Sequence, residues 1–467
     1  MKRVILSLVL CFPILLMAQI SKEEVIPKLK SYVADLERLG NAGQLLVSIN
    51  GEVWSEGYGL ADRERQEKFT NETISGTGSI TKQFTGAAIL KLEMMGKLSV
   101  DDLLSDHFEN VPEDKSGISL HHLLTHSAGF PGAIGDDYQA ISAEEFINLA
   151  MKTPLLFEEG DRFEYSNVGY SILAILIEKL SEKTYEQFLR DELFKPAGMW
   201  GTGYVLPEWT AKKMAVGYRK EKNWGQLNEK NWGEEGPYWH LKGNGGILST
   251  PADMLRWHQA LRGDEILSEA AKKKYYEKHI AEGPDAQSFY GYGWAIFPTP
   301  RGTKLVTHNG GNGIFLADFL RYEEEEVVIY YTTNSVNPQN RDVAWEVAQM
   351  IFDPEYQASA EEAILAPLST AQQDVVDGFR KMLEGFDDQS IDDFVNGYFD
   401  QSMIDMASMG QHRKILGSMR EDLKNATFKS AGAASEEMNV EFKTPEGLLS
   451  VLLVVLNGKV TGMGVED

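Results

Sequence analysis

The apolar positions of the chain change their period several times, and each change predicts a different element. Stripes with a period near 3.6 predict helices, whereas alternating or short apolar runs bounded by turn residues predict strands. The helical stripes cover residues 22–38, 79–95, 121–125, 144–151, 171–183, 251–261 and 341–352. The strand patterns cover residues 44–49, 52–58, 304–308, 315–321 and 327–333. The first two strands flank Asn50-Gly51, which predicts a hairpin.

Strands at both ends of this region, with helices between them, predict an α+β fold. We expect an antiparallel sheet that unites the two ends and is flanked by helices, together with an all-helical half. A linker-like stretch at residues 356–371 separates this main domain, residues 19–355, from the remainder. Residues 372–467 show three helical patterns followed by four strand patterns. They predict a small α+β accessory domain at the C-terminal side.

The first 18 residues have the pattern of a secretory signal peptide. Lys2 and Arg3 precede an apolar run, which ends at Ala18 and is too short to span a bilayer stably. We therefore expect a protein that is secreted across the inner membrane, periplasmic or extracellular, without stable membrane insertion after signal removal. Cys11 leaves a lipoprotein anchor open as an alternative, although Leu10 stands where a small residue is expected.

Composition narrows the function classes. The formal net charge is −25, and it becomes −27 when the first 18 residues are removed. Such a charge repels nucleic acids and anionic lipid surfaces, so neither is an expected partner. The one cysteine lies within the signal, which excludes disulfides, thiolate catalysis and cysteine metal sites from the mature chain. A hydrophobic content of 43% argues against a disordered chain.

Ser79 and Lys82 stand three residues apart at the start of the second predicted helix. Residues i and i+3 share a helix face, so the lysine amine can reach the serine hydroxyl. A desolvated lysine with a lowered pKa can accept the hydroxyl proton and make the serine a nucleophile. The alternative is a serine N-cap followed by a solvated lysine, which needs no catalytic role.

Two further stretches carry candidate chemistry. Tyr165 and Asn167 precede a buried helix, which would fix both side chains on rigid structure. The stretch His308-Asn309-Gly310-Gly311 follows a strand, and its glycines allow a close backbone approach to a ligand.

His122 and His126 have the spacing of a zinc pair, but no glutamate stands between them and no third ligand is evident. Packing and hydrogen bonding explain the two histidines better. We expect neither a metal nor a cofactor.

Five tryptophans, residues 200, 209, 224, 232 and 239, lie in a segment that also holds an imperfect repeat. The two copies of the repeat are residues 221–225 and 229–233. They predict either two paired hairpin strands or an aromatic wall beside a substrate.

The ordered set Ser79-x-x-Lys82, Tyr165-x-Asn167 and His308-Asn309-Gly310 resembles the motifs of the serine β-lactamase and penicillin-binding protein superfamily. The resemblance is specifically to its class C β-lactamase, DD-peptidase and esterase branch. Residues 123–131, 163–170, 195–199 and 243–253 resemble the same branch. It covers residues 25–352 and implies a β-lactamase/transpeptidase-like fold.

This resemblance implies that Ser79 is the acylated nucleophile and that Lys82 and Tyr165 share the proton transfers. Asn167 would bind the substrate amide or orient Lys82, and His308, Asn309 and Gly310 would line the cleft. The backbone N–H groups of Ser79 and Gly311 would form the oxyanion hole. Whether Lys82 or Tyr165 is the acylation base stays open.

The third motif departs from the efficient β-lactamases of this branch, which have lysine where His308 stands. Histidine is only partly charged near neutral pH, so we expect weak β-lactamase activity. The leading hypothesis is a serine hydrolase that cleaves a small-molecule or peptide substrate at a peptide or ester bond, for example a D-amino-acid or cell-wall peptide. The alternatives are a true β-lactamase and a non-catalytic penicillin-binding-like module. An α/β-hydrolase is excluded, because no Gly-x-Ser-x-Gly elbow occurs.

Overall fold

The computed structural model describes residues 22–207, 209, 214–220, 222–284, 286–337, 339–358, 368–385, 387–405, 407–434, 437–444 and 447–466. The chain divides into two compact units, Met1–Ala360 and Glu361–Asp467. The predicted signal peptide, with Cys11, lies outside the described residues, and so does most of the predicted linker. The domain boundaries inferred from the sequence stay predictions.

The first unit contains a large antiparallel sheet and many helices, which confirms the predicted α+β fold. Its helices are α1 (Lys22–Arg38), α2 (Thr81–Met94), α3 (Leu104–His107), α4 (Leu120–Leu124), α5 (Ala143–Lys152), α6 (Asn167–Ser181), α7 (Tyr185–Leu189), α8 (Pro251–Arg262), α9 (Glu269–Tyr275) and α10 (Val343–Phe352). Its strands are β1 (Gly43–Ile49), β2 (Glu52–Tyr58), β3 (Leu60–Asp62), β4 (Glu67–Lys68), β5 (Ser75–Gly76), β6 (Gly217–Arg219), β7 (Lys222–Gly225), β8 (Leu248–Ser249), β9 (Ile280–Ala281), β10 (Phe289–Tyr290), β11 (Ala295–Pro298), β12 (Lys304–Gly311), β13 (Leu316–Tyr322) and β14 (Val327–Thr333). A 3₁₀ turn, Gly78–Ile80, leads into α2.

The main sheet has eight strands in the order β2-β1-β14-β13-β12-β11-β10-β9. Strand β1 pairs with β14, which joins the two ends of the unit, as the sequence predicts. Side chains alternate between the two faces of the sheet. Leu45 and Val47 pack in a core with α1 and α10, whereas Leu46 points into the core shared with α2 and α6. Both faces are therefore covered by helices, and every residue of β1 and β14 is buried.

Helices α2 and α6 contact each other at the centre of the helical half. Every residue of α2 from Thr81 to Leu90 is buried, Lys82 included, because the helix is enclosed by α6, α7 and α9. Helix α6 begins at Asn167, whereas the sequence pattern placed its start at residue 171. The earlier start was missed because Gly169 and Tyr170 interrupt the aliphatic run, yet both are buried against neighbouring helices.

The hairpin hypothesis for the repeat is wrong. The first copy supplies β7, which pairs with β6. The second copy contains the end of a 3₁₀ turn, Leu227–Glu229, and irregular backbone after it, and it does not pair with the described residues of the first copy.

The second unit contains helices α11 (Thr370–Glu384), α12 (Asp388–Tyr398), α13 (Gln401–Asp405) and α14 (Met409–Asp422), followed by strands β15 (Thr427–Ala434), β16 (Glu437–Thr444), β17 (Gly447–Leu456) and β18 (Lys459–Glu466). The strands form one antiparallel sheet in sequence order. Phe379 and Phe394 of the helices share a hydrophobic core with the sheet residues Phe442, Val451 and Leu453. In the described part of the whole chain, no helix has the length and apolar character that a bilayer crossing requires.

Asp318 is a buried acid in the middle of the main sheet, and it yields a stability prediction. It lies on β13 opposite Tyr331 of β14, and burial, with a contribution from the Asp342 charge, raises its pKa to about 7. The pKa of an aspartate in the unfolded chain is about 3.9. Between about pH 4 and pH 7 the folded protein therefore binds more protons than the unfolded protein. Its stability therefore falls as the pH rises from about 4 to about 7.

Asp318→Asn is expected to increase the free energy of unfolding by roughly 2–4 kcal/mol above pH 7, because the neutral amide avoids the cost of burying a charged carboxylate. The gain should shrink toward zero near pH 4. Thermal unfolding at several pH values checks this, with the exposed Asp161→Asn as control. A gain that is equal at all pH values would contradict the assignment.

Candidate active site

Ser79 lies on the 3₁₀ turn before α2, and both sides of the turn are fixed. The Thr77 backbone N–H and Oγ1 both donate to the Ile247 carbonyl, at 2.9 and 2.8 Å. Gly78 has a φ of +52°, and a Cβ there would lie 2.5 Å from the Gly311 nitrogen. Only glycine fits this combination of backbone angle and close approach. The serine hydroxyl is thereby presented at a defined position beside β12.

The Lys82 amine is held by three oxygen atoms. Its Nζ lies 3.1 Å from Ser79 Oγ, 2.8 Å from Asn167 Oδ1 and 2.8 Å from the Asn244 carbonyl oxygen. The lysine side chain is fully buried, whereas Ser79 and Asn167 are partly exposed. The nucleophile candidate therefore faces the solvent side of the site and the amine lies beneath it.

Burial lowers the pKa of Lys82 well below its ordinary value of 10.5, and the charge of Asp137 acts in the opposite direction. A neutral amine has two N–H donors and one lone pair. Asn167 and Asn244 can accept the two donors, which leaves the lone pair directed at the Ser79 hydroxyl. The protonated amine has three donors, and the same three oxygens can accept them. The site thus accommodates both protonation states of the lysine.

Tyr165 covers the same amine from the other side. Its ring centroid lies 4.7 Å from Lys82 Nζ, and its ring packs 4.3 Å from that of His126. Burial raises the pKa of Tyr165 above its ordinary value of 10, and a hydrogen bond with the Ser79 side chain acts in the opposite direction. The phenol therefore keeps its proton at neutral pH.

The segment with Tyr165 and Asn167 is anchored to the loop after α4. The Ser166 N–H donates to His126 Nδ1 at 3.1 Å, and the Asn167 N–H donates to the Gly132 carbonyl at 2.8 Å. His126 has a φ of +57°, so it lies outside α4 and does not share a helix face with His122. The zinc-pair spacing is therefore not realised, and the described residues hold no cluster of three or more metal-ligating side chains.

His308 is buried and uncharged. Its Nδ1 lies 2.5 Å from the Asn309 carbonyl and its Nε2 lies 2.8 Å from the Tyr290 hydroxyl, which satisfies the Nδ1–H tautomer. Burial, together with the Lys82 charge, lowers the pKa of His308 to about 3. The expectation of a partly charged histidine is wrong, because the sequence does not show that Tyr290 and the sheet enclose this ring.

The predicted site residues lie at different depths. Ser79, Asn167 and Gly311 line one cleft. Lys82 lies below it, and His308 packs behind Tyr165 with ring centroids 6.2 Å apart. Gly310 is buried against the Ser79 turn, whereas the exposed Asn309 is not among the lining residues.

Several cleft residues were missed from the sequence. Asn244 lies in the stretch 243–253 that resembles the family, and the glycines on both sides of it are the signal in the sequence for a close backbone approach. Asp137, Tyr138 and Asn312 line the cleft but carry no local signature.

The described residues that line the cleft include no tryptophan. The predicted aromatic wall of tryptophans is therefore not part of the described cleft lining, although one tryptophan lies directly behind it. Trp224 packs against the two lining rings, 6.2 Å from Tyr138 and 6.1 Å from Phe315 between centroids.

Comparison with known proteins places this geometry in a family. A family model described as beta-lactamase matches residues 30–350, which is more than half of the chain. The chain belongs to the beta-lactamase family. The penicillin-binding protein 4* of Bacillus subtilis (strain 168) is 26% identical over 308 residues, 62% of this chain and 68% of that protein. Further curated relatives are covered over 37% to 64% of their own length.

Solved structures show the same beta-lactamase-type fold. The penicillin-binding protein from Bacillus halodurans has a TM-score of 0.59 and 25% sequence identity, covering 68% of this chain and 98% of that one. The octameric penicillin-binding protein homologue from Pyrococcus abyssi has a TM-score of 0.63 at 23% identity, covering 93% and 94%. The family match and the curated relatives show that this chain is a serine hydrolase of the β-lactamase and penicillin-binding type.

Because His308 is neutral, we expect that its ionisation does not contribute to the pH dependence of the reaction rate. The acid limb of the kcat/KM profile should come from Lys82, whose lowered pKa lets the rate rise as the amine loses its proton. His308→Gln is expected to leave the midpoint of that limb unchanged, whatever it does to the rate. Hydrolysis of p-nitrophenyl acetate from about pH 5 to pH 9 checks this.

His122→Gln, at a half-buried histidine outside the cleft, is the matched control for His308→Gln. A wild-type midpoint near pH 6.5 that disappears only in His308→Gln would show that a charged imidazole contributes.

Proposed function

We propose that this chain is a secreted serine hydrolase that forms an acyl-enzyme on Ser79 and cleaves a peptide bond, of D-amino-acid or cell-wall type, or an ester bond. The observation that carries the proposal is the 3.1 Å contact between Lys82 Nζ and Ser79 Oγ, made by a buried amine whose other two partners are oxygen acceptors. A surface lysine next to an N-cap serine would have neither the burial nor the two additional acceptors.

In the acylation step, neutral Lys82 removes the proton of Ser79 Oγ as this oxygen attacks the substrate carbonyl carbon. The resulting oxyanion would be stabilised by the backbone N–H groups of Ser79 and Gly311, an effect of about 3 kcal/mol per donor. Collapse breaks the bond to the leaving amine or alcohol, which takes a proton relayed from Lys82 through the Tyr165 hydroxyl. An acyl ester on Ser79 remains.

In the deacylation step, water attacks the ester carbonyl and gives up a proton to the same relay. The Ser79–acyl bond then breaks, the serine oxygen regains a proton, and the acid product leaves. Lys82 is the better base of the pair in the free enzyme, since burial favours its neutral form, whereas burial of Tyr165 favours the protonated phenol. Tyr165 then relays a proton during the reaction, and its hydroxyl stays protonated in the free enzyme.

A true β-lactamase is the weaker candidate. β-Lactam substrates carry a carboxylate, and a fixed cation in the cleft would recognise it. The side chain beside Tyr165 is the neutral His308, and the described residues that line the cleft include no lysine or arginine. A non-catalytic module would have no need for the bond from Lys82 to Ser79.

Intact-mass labelling with a fluorophosphonate, followed by peptide mapping, tests the acyl-enzyme proposal. One adduct is expected, on the peptide that contains Ser79. It should be absent from heat-unfolded protein, because unfolding exposes the Lys82 amine to water and removes its fixed contact with the Ser79 hydroxyl. Ser171, a buried serine on α6, should stay unlabelled and serves as an internal control. No adduct, or an adduct elsewhere, would overturn the proposal.

Export is part of the proposal and rests on the basic, apolar and small-residue pattern of residues 1–18. Expression of the full chain in a bacterium with a signal peptidase should yield a mature N-terminus at Gln19. Intact mass of the exported fraction checks it. Retention of the complete chain in the cytoplasm would contradict it.

A further inference from the structure

The cleft beside Ser79 contains one carboxylate that the proposed reaction does not use. Asp137 lies on the loop between α4 and α5, lines the cleft together with Ser79 and Asn167, and is half-buried. Its neighbour Asp136 accepts a hydrogen bond from the Tyr138 N–H at 2.9 Å. Within the described residues, by contrast, no hydrogen-bond donor or cationic group lies in bonding distance of the Asp137 carboxylate.

The charges around this carboxylate are few. The groups that act on it electrostatically are Asp136, which is exposed, and Lys82, which is buried beneath the cleft floor. His308 does not supply a cation, because its two ring nitrogens are satisfied in the neutral form. A partly desolvated carboxylate without a partner is costly, and a cation that enters the cleft removes that cost.

We propose that Asp137 binds an ammonium group of the substrate, so that the preferred substrates are amides or esters of amino acids with a free amine. The inference rests on the proposed acyl-enzyme at Ser79 and assigns a specificity residue to it. The lining also includes Leu227, Leu241 and Phe315, which form an apolar surface for the side chain of such an amino acid.

Binding of an ammonium group would also assist the proposed base. The negative charge of Asp137 raises the pKa of Lys82 and so favours its protonated form. An ammonium group paired with Asp137 has a charge that cancels this effect. Lys82 is then more fully neutral with the correct substrate than with an uncharged one. Recognition and activation of Ser79 are thereby coupled through a single carboxylate.

The test compares phenylalanine p-nitroanilide, in both enantiomers, with its N-acetylated form, which has lost the ammonium group. The wild type is expected to prefer the free amine by about tenfold or more in kcat/KM. Asp137→Asn should reduce this preference at least about fivefold, mainly through KM, whereas Asp136→Asn should leave it unchanged. Asp137→Lys should reverse the preference toward the N-succinyl derivative, which carries a carboxylate.

The outcomes separate the two proposals. If the wild type hydrolyses these anilides or p-nitrophenyl acetate but shows no preference for the free amine, the role of Asp137 is overturned and the acyl-enzyme proposal stands. The role is also overturned if Asp137→Asn lowers the rates for both forms equally. If neither the anilides nor the ester is hydrolysed and no fluorophosphonate adduct forms, the acyl-enzyme proposal itself fails.

Discussion

Replacement of Lys82 with alanine is expected to lower kcat on the order of 10⁴-fold, as far as replacement of Ser79 does. The two side chains share one proton, and a serine hydroxyl without its base is a poor nucleophile. The double variant should lose no more than either single variant, because groups that act as a unit give non-additive losses. Steady-state hydrolysis of p-nitrophenyl acetate by the three variants measures this.

The loss must be separated from a loss of folding. Lys82→Ala leaves the Asn167 and Asn244 oxygens without their donor, so circular dichroism and thermal unfolding should accompany the kinetics. Lys91→Ala is the matched control, since that lysine lies on the same helix and its Nζ donates to the Ile266 carbonyl, away from the cleft. A folded Lys82→Ala variant that keeps a tenth of the activity would move the base role to Tyr165.

Gly310→Ala is expected to lower kcat by about 10²- to 10³-fold, the loss typical for disruption of an oxyanion hole. A Cβ at this position would lie 2.1 Å from the Thr77 carbonyl oxygen and 2.5 Å from the Ser79 nitrogen. Both are backbone atoms that cannot rotate away. Relief requires the Ser79 turn and β12 to separate, which moves the Ser79 and Gly311 N–H groups apart.

Because the change alters geometry and not proton transfer, Gly310→Ala should keep the acid limb of the wild-type pH profile. Gly283→Ala is the control, since a Cβ there meets no atom within 4 Å. Full activity in a folded Gly310→Ala variant would show that the close approach of these two segments is not needed for the reaction.

Elements whose pattern is complete within one segment were predicted well from the sequence. Helix α1 has the predicted bounds, Lys22–Arg38, because its apolar stripe depends on a single period. The turn at Asn50-Gly51 joins β1 and β2 as expected, with both residues at positive φ. Helix α8 begins at Pro251, the first residue of the predicted stripe, where Thr250 supplies the N-cap and proline suits the first turn.

Features that depend on distant residues could not be predicted in this way. The charge of His308 is set by burial and by Tyr290, and the third acceptor of Lys82 is a backbone carbonyl at Asn244. Asp137 enters the cleft only because its loop folds back toward Ser79. No period or spacing rule connects such residues, since the sheet and helices bring them together only after the whole unit has formed.

The pairing of β1 with β14 has a consequence for how the chain matures. In chain order β1 comes before every other strand of the main sheet, yet it lies inside that sheet. Its residues Gly43 to Ile49 pair with residues Thr333 to Val327 of β14. The main sheet can therefore close only after nearly the whole first unit has left the ribosome, and such long-range pairing is slow. Under the export proposed above, a nascent chain whose sheet closes this late would stay competent for threading through a translocation channel, and its unpaired strands would need protection from aggregation during transit.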